Sequence, residues 1–172
     1  MDKIHITGNA GSGKTTLAYE LGAALDLPVF GLDKIVWQSG WVKTPRDIVA
    51  CKEQELISKP KWIIEGVSHA VRDAADVFIF LDVSRKTSIV RCSKRNWRFL
   101  LSGRPELPDN CPEILILPQL LKIIWNFKDR VRPEIMKDIS DRPDRSIIVR
   151  DAREMQLMHE RLTDDELIAD PR

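Results

Sequence analysis

Cysteine is scarce in this chain and badly placed for pairing. Cys51, Cys92 and Cys111 are odd in number, widely spaced and form no C-x-x-C, so neither a disulfide framework nor a thiolate metal site is expected. Free thiols in a reducing cytosol follow, and with them a cytoplasmic location. No apolar run reaches membrane-spanning length, and no repeat or low-complexity tract is present. Met1-Asp2-Lys3 leads straight into the first apolar segment, which leaves no room for a signal peptide. Charge of one sign is also missing. Lys and Arg number 27 against 26 Asp and Glu, a net charge of +1, so no whole-chain field draws the molecule to a membrane or a nucleic acid. There is no helix-turn-helix, zinc or RNP-type signal, and direct nucleic-acid binding is not expected. What remains is a single cytoplasmic domain: 172 residues suit one α/β unit with an adequate core.

Glycine is present where it carries chemistry. Gly8-Asn9-Ala10-Gly11-Ser12-Gly13-Lys14-Thr15 matches G-x-x-x-x-G-K-[ST], the Walker A or P-loop pattern. Lys3-Ile4-His5-Ile6-Thr7 before it reads as a strand. Thr16 to Leu25 after it reads as a helix, with Leu17, Leu21 and Leu25 on one face. Strand, glycine loop and helix in that order give the pattern its specificity. The glycines let backbone N–H groups turn inward as a nest for phosphate oxygens, and the helix N-terminus adds partial positive charge. Lys14 reaches β- and γ-phosphates, and the Thr15 hydroxyl ligates Mg²⁺. Gly8, Asn9, Ala10, Gly11, Ser12, Gly13, Lys14, Thr15 and Thr16 are therefore the expected nucleotide-binding segment, with ATP and Mg²⁺ as its ligands.

Further strands are expected at 27–32, 62–64, 77–81 and 146–150. Their continuous apolar runs, set between helical patterns, are the signature of a parallel sheet covered on both faces. Helices are expected at 44–58, with Thr44 as N-cap and Pro45 first; from Ser84 to about Leu100; from Pro118 to about Lys128; and after Asp151 to about Leu162. Residues 101–112, Arg132-Pro133 and 141–144 read as loop, interruption and turn. The fold class is thus α/β: a three-layer P-loop NTPase with a five-stranded parallel sheet. Its core is about 1–33, 61–98 and 141–172, with inserts at about 34–60 and 99–140. In such sheets ligands bind beyond the carboxyl ends of the strands, where Asp33, Glu65-Gly66 and Asp82 fall. Residues 85–104 hold Arg85, Lys86, Arg91, Lys94, Arg95, Arg98 and Arg104 with no acid among them, a stretch better suited to clamping phosphates than to gripping DNA.

This layout resembles the small kinases related to adenylate kinase, and the resemblance covers nearly the whole chain. It implies that 34–60 holds the phosphate acceptor and that 99–140 is a helical lid over ATP. Ile63-Ile64-Glu65-Gly66 looks like the apolar-Asp-Gly segment of that family, whose acid holds the Mg²⁺ water shell; here Glu replaces Asp. Asp82-Val83-Ser84 leads to Arg91 and Arg95 at the offsets of the family's two phosphate-binding arginines. Four residues apart, they share one helix face, and their planar forks suit phosphate oxygens.

A narrower resemblance rests on Leu32-Asp33, Trp37-Gln38-Ser39-Gly40-Trp41, Arg104-Pro105, Asn110-Cys111-Pro112-Glu113 and Ile124-Trp125-Asn126-Phe127. These are similar to the adenylate-kinase-like ATPases labelled DNA topology modulation proteins. By resemblance Asp33 faces the acceptor, Arg98, Arg104, Arg130 and Arg132 are lid candidates, and Arg153 lies near adenine. Trp37 and Trp41 either stack on a planar substrate or pack the insert, the second being preferred; His69 reads as a surface residue.

The function this implies is Mg-dependent transfer of the ATP γ-phosphoryl group to a nucleoside, a nucleoside monophosphate or an unrelated metabolite. Lys14, Arg91 and Arg95 would stabilise charge, and Asp33 would orient the acceptor. The alternative is a regulatory ATPase acting on DNA topology or a protein partner.

Overall fold

The structure, a computed structural model, describes residues 1–99 and 113–163, with the side chains of 1–94, 118–160 and 162. Strand β1 (Lys3–Gly8) runs through the glycine loop into helix α1 (Lys14–Leu25), and β2 (Val29–Gly31) follows. A short helix α2 (Asp33–Val36) leads into a hairpin of β3 (Trp37–Gln38) and β4 (Val42–Lys43). Helix α3 (Arg46–Ile57), β5 (Trp62–Glu65), α4 (His69–Ala74) and β6 (Val77–Leu81) come next, then α5 (Arg85–Phe99). Two helices, α6 (Glu113–Arg130) and α7 (Arg132–Asp141), precede β7 (Ser146–Val149) and α8 (Ala152–Thr163).

Five strands form one sheet in the order β2-β5-β1-β6-β7, every pairing parallel. The three-layer α/β architecture expected from the sequence is therefore present. The apolar runs of β1, β5 and β6 are buried along almost their whole length, as strands covered on both faces must be. Alternation sorts their side chains. Ile4, Ile6, Ile63, Ile79 and Leu81 pack with Leu17, Leu21 and Met158 of α1 and α8. On the other face Trp62 and Ile64 pack with Val71, while Phe78 and Phe80 pack with Phe127 and Ile135 of α6 and α7.

The differences from the sequence reading are local. The second strand shortens to three residues, and Asp33 opens α2 rather than ending a strand. Helix α3 starts at Arg46, with Pro45 at its flank and no side-chain cap; Thr44 is buried instead. Pro118 lies inside α6 rather than in its first turn. Its fixed φ is already helical, so the helix continues across the missing N–H. Arg132-Pro133 does interrupt the helical run, and Pro133 falls in the first turn of α7. Helices α2 and α4 and the β3–β4 hairpin were not foreseen, being too short to display a period.

Candidate functional site

Three elements converge on the loop between β1 and α1. Its backbone takes left-handed values at Gly11 (φ 75°) and Gly13 (φ 103°). At Gly11 a side chain is also excluded by contact: a Cβ would stand 2.5 Å from the Ser88 carbonyl oxygen of α5. Gly13 gives α1 no side-chain cap, and no acid stands in its first turn, so the positive end of the helix is left open.

The loop is tied on both sides. Asn9 Nδ2 donates to the Ile124 carbonyl of α6 at 3.0 Å, while its Oδ1 accepts from Ala10 N–H at 2.8 Å. Arg91 of α5 donates from Nη1 to the Ser12 carbonyl at 3.0 Å. Lys14 Nζ donates to the Asn9 carbonyl at 3.0 Å, folding the ammonium back over the loop.

Glu65, at the end of β5, is buried and accepts from the Thr15 hydroxyl at 3.2 Å. The next strand over is bound to the same point, because Leu32 N–H donates to the Glu65 carbonyl at 2.9 Å. That bond sets Asp33 at the mouth of the site. Behind it, Gly66 N–H donates to the Ile6 carbonyl at 3.0 Å, and His5 Nε2–H donates to the Gly66 carbonyl at 3.1 Å. His5 is fully buried; burial first, then the charges of Arg72 and Lys14, hold its pKa down at about 3.

The glycine loop, Glu65, Asp33 and Arg91 line one cleft of about 550 Å³, within the range of small-molecule sites. Gly8, Ala10, Gly11, Gly13, Lys14, Thr15 and Thr16 form its floor, with Glu65 and Arg91 beside them. Asp33, Val36, Trp37 and Trp41 form the wall on the β2 side, and Leu120, Ile123 and Phe127 of α6 close it. The two tryptophans meet edge to face at 5.4 Å. Asn9 and Ser12 are buried under the floor rather than lining it. A second hollow of about 250 Å³ shares Thr15, Tyr19 and Glu65 and is bordered by Phe30 and Lys34.

The remaining arginines are placed differently from one another. Arg132 pairs with both oxygens of Asp82, at 2.9 and 2.8 Å, so it braces the end of β6. Arg130 is exposed at the end of α6, and Arg153 is exposed near the start of α8; neither lines the cleft. Arg95 and Arg98 fall on α5, but their side chains, like all of Arg104, lie outside the described residues.

One interaction gave no sequence signal at all. Arg72 of α4 is buried and donates from Nε to Asp138 Oδ2 at 2.7 Å, and its Nη2 pairs with Glu134. His69, Glu134 and Asp138 bring ligand atoms within 4.8 Å of one another, but the Arg72 guanidinium already occupies both carboxylates.

No protein-family model and no curated protein matches the chain. Solved structures do. Shikimate kinase from Acinetobacter baumannii in complex with shikimate aligns over 97% of this chain and 96% of its own at 16% identity and a TM-score of 0.56. Deoxyadenosine kinase from M. mycoides with bound dATP aligns over 94% and 100% at 18% identity and 0.51. A gluconokinase from Sinorhizobium meliloti 1021 aligns over 95% and 94% at 16% identity and 0.51. The chain shares their fold.

Proposed function

We propose that this chain is a Mg-dependent phosphotransferase that moves the γ-phosphoryl group of ATP to a nucleotide or other small acceptor. The observation that carries the reading is the convergence, in one cleft, of the glycine loop, Lys14, the Thr15–Glu65 pair, Arg91 and Asp33. The kinases of the same fold support it, and Leu32-Asp33, Trp37–Trp41 and Ile124–Phe127 resemble segments of the adenylate-kinase-like ATPases.

The residues present fit both ligands. Side chains at Gly8 and Gly11 would collide with Leu81 and Ser88 behind the loop, so only glycine lets the backbone hold this curve, and the open end of α1 favours an anion. The Thr15 hydroxyl and the Glu65 carboxylate are a hard-oxygen pair suited to Mg²⁺, directly and through its water shell. When bound there, Mg²⁺ neutralises charge on the β- and γ-phosphates.

The chain's own groups do the rest. Lys14 exchanges the Asn9 carbonyl for phosphate oxygens. Arg91, already 3.0 Å from the loop, holds charge that spreads over the transferring group. Asp33 orients the acceptor hydroxyl and takes its proton. Leu120, Ile123 and Phe127 give the cleft an apolar wall on the α6 side. Cys51 and Cys92 are not joined in a disulfide, in keeping with a reducing cytoplasm.

The test is ATP turnover with and without a panel of acceptors. Turnover is expected to rise with an acceptor and to fall by about 10³-fold in Lys14→Ala. Turnover that ignores every small acceptor and rises only with DNA or a protein would contradict the reading.

A further inference from the structure

Position 9 is an unspecified place in the glycine-loop pattern, yet both ends of its side-chain amide are engaged. Asn9 is 3% exposed and lies under the floor of the cleft rather than on it. Its Oδ1 accepts from the Ala10 N–H at 2.8 Å, and its Nδ2 donates to the Ile124 carbonyl of α6 at 3.0 Å. Its own carbonyl accepts from Lys14 Nζ at 3.0 Å and from the Ser12 N–H at 3.2 Å. One residue thus holds the loop at three points and grips a distant helix at a fourth.

The point of attachment on α6 matters. Ile124 is buried, and Leu120, Ile123 and Phe127 of the same helix line the cleft. Further ties of this helix fall toward its C-terminal end. Asp129 pairs with Arg85 at 2.8 Å, the same guanidinium lies 5.0 Å from the Trp125 ring centroid, and Phe127 stacks on Phe80 at 6.4 Å. An amide suits the loop end because it donates on one side and accepts on the other, which an ionised carboxylate cannot do. The Ile124 carbonyl has a second lone pair for its own helix bond, so the tie adds to α6 without breaking its ladder.

We infer that Asn9 is the positioning residue through which an occupied loop fixes the α6 wall of the cleft. This rests on the MgATP-binding reading above. In the empty loop Lys14 holds the Asn9 carbonyl. Once phosphate oxygens take Lys14 and the loop N–H groups, the loop backbone is pinned by its ligand. The Asn9 amide then presents a rigid donor to Ile124, and α6 opens less often. No travel of the helix is required. The effect is a loss of local fluctuation, so an acceptor that arrives after MgATP meets a wall already set. Arg91 ties the loop to α5 in a similar way but also lines the cleft, whereas Asn9 holds without lining it.

The experiment is hydrogen exchange of the full chain with and without MgATP, read on peptides from 118–128, with MgATP affinity measured by calorimetry. In the parent, MgATP is expected to slow exchange in this segment about 5-fold or more. Asn9→Asp keeps the acceptor for Ala10 and loses the donor to Ile124; Asn9→Leu is close in shape and loses both without adding charge. In each, the slowing is expected to fall below about 2-fold while MgATP affinity stays within about 10-fold of the parent. A residue that merely stabilises the fold would speed α6 exchange equally with and without nucleotide, leaving the MgATP-dependent difference in place. Such a constant difference overturns the inference. So does a parent that binds MgATP while α6 exchange stays the same, a result that needs no variant to fold. Failure to bind MgATP at all is a different result: it removes the underlying phosphotransferase reading.

Discussion

His5 stands in the central strand with its ring sealed from water, donating to the Gly66 carbonyl and leaving Nδ1 without a partner among the described residues. Nothing in a strand sequence separates such a histidine from an exposed one. Its folded pKa of about 3 lies below the ordinary value of 6.5, so between those limits the unfolded chain takes up a proton that the folded chain refuses. The contribution is therefore complete above pH 6.5 and is lost as the pH falls toward 3, at about 1.4 kcal/mol per pH unit. Urea unfolding between pH 6 and 4.5 should show a loss of about 2 kcal/mol from this group. His5→Gln, which can still donate to Gly66 but does not titrate, should flatten that part of the slope. An equal slope in both proteins would mean that the imidazole does not report on folding.

Elements are held together here by polar contacts that span long stretches of chain. Arg72 ties α4 to α7 across 66 residues, with its guanidinium wholly inside the protein. Glu134 still pairs with Arg72 when Asp138 is removed, but the buried Nε–H then loses its acceptor, and Asp138→Ala is expected to cost about 1–3 kcal/mol. The double variant Arg72→Met with Asp138→Leu should recover most of that loss in urea denaturation. If the double variant is as weak as the single one, the unpaired Nε–H was not the cause.

The loop and α5 meet in a comparable way at Gly11, where left-handed backbone coincides with close approach of Ser88. Gly11→Ala should cost about 1–3 kcal/mol and shrink the rise in Tm on adding MgATP. An undiminished rise would show that the loop tolerates displacement of α5.

These contacts also mark where sequence reasoning stopped. The strands, α1 and the glycine loop were legible because each carries its own local pattern: an apolar run, leucines at helical spacing, a fixed glycine spacing. Asp151 was legible as a cap, and its Oδ1 does accept from the Arg153 and Glu154 N–H groups at 2.9 and 2.8 Å. Arg72 was not, because its partners are set by the docking of α7 and leave no mark at local spacing. Asn9 looked like an unspecified position in the loop pattern; its bond to the Ile124 carbonyl lies 115 residues away. Arg132 read as a lid residue because exposed arginines and bracing arginines look alike until Asp82 is seen beside it.

At the scale of the whole molecule, net charge does not direct the chemistry. The net charge is +1, and among the described residues no helix is long and apolar enough to cross a membrane. What the fold supplies is place. A parallel sheet puts every strand's carboxyl end at one edge, so Gly8, Glu65 and the turn to Asp33 arrive together although the chain visits them far apart.

The claim on which everything else stands is that this edge binds a triphosphate with magnesium. Titration calorimetry of ATP into the protein, with and without Mg²⁺, tests it most directly. The account predicts one site per chain, tighter binding with Mg²⁺, and loss of the heat in Lys14→Ala while the fold persists by circular dichroism. No heat with the intact protein, or equal heat with Lys14→Ala, would contradict it.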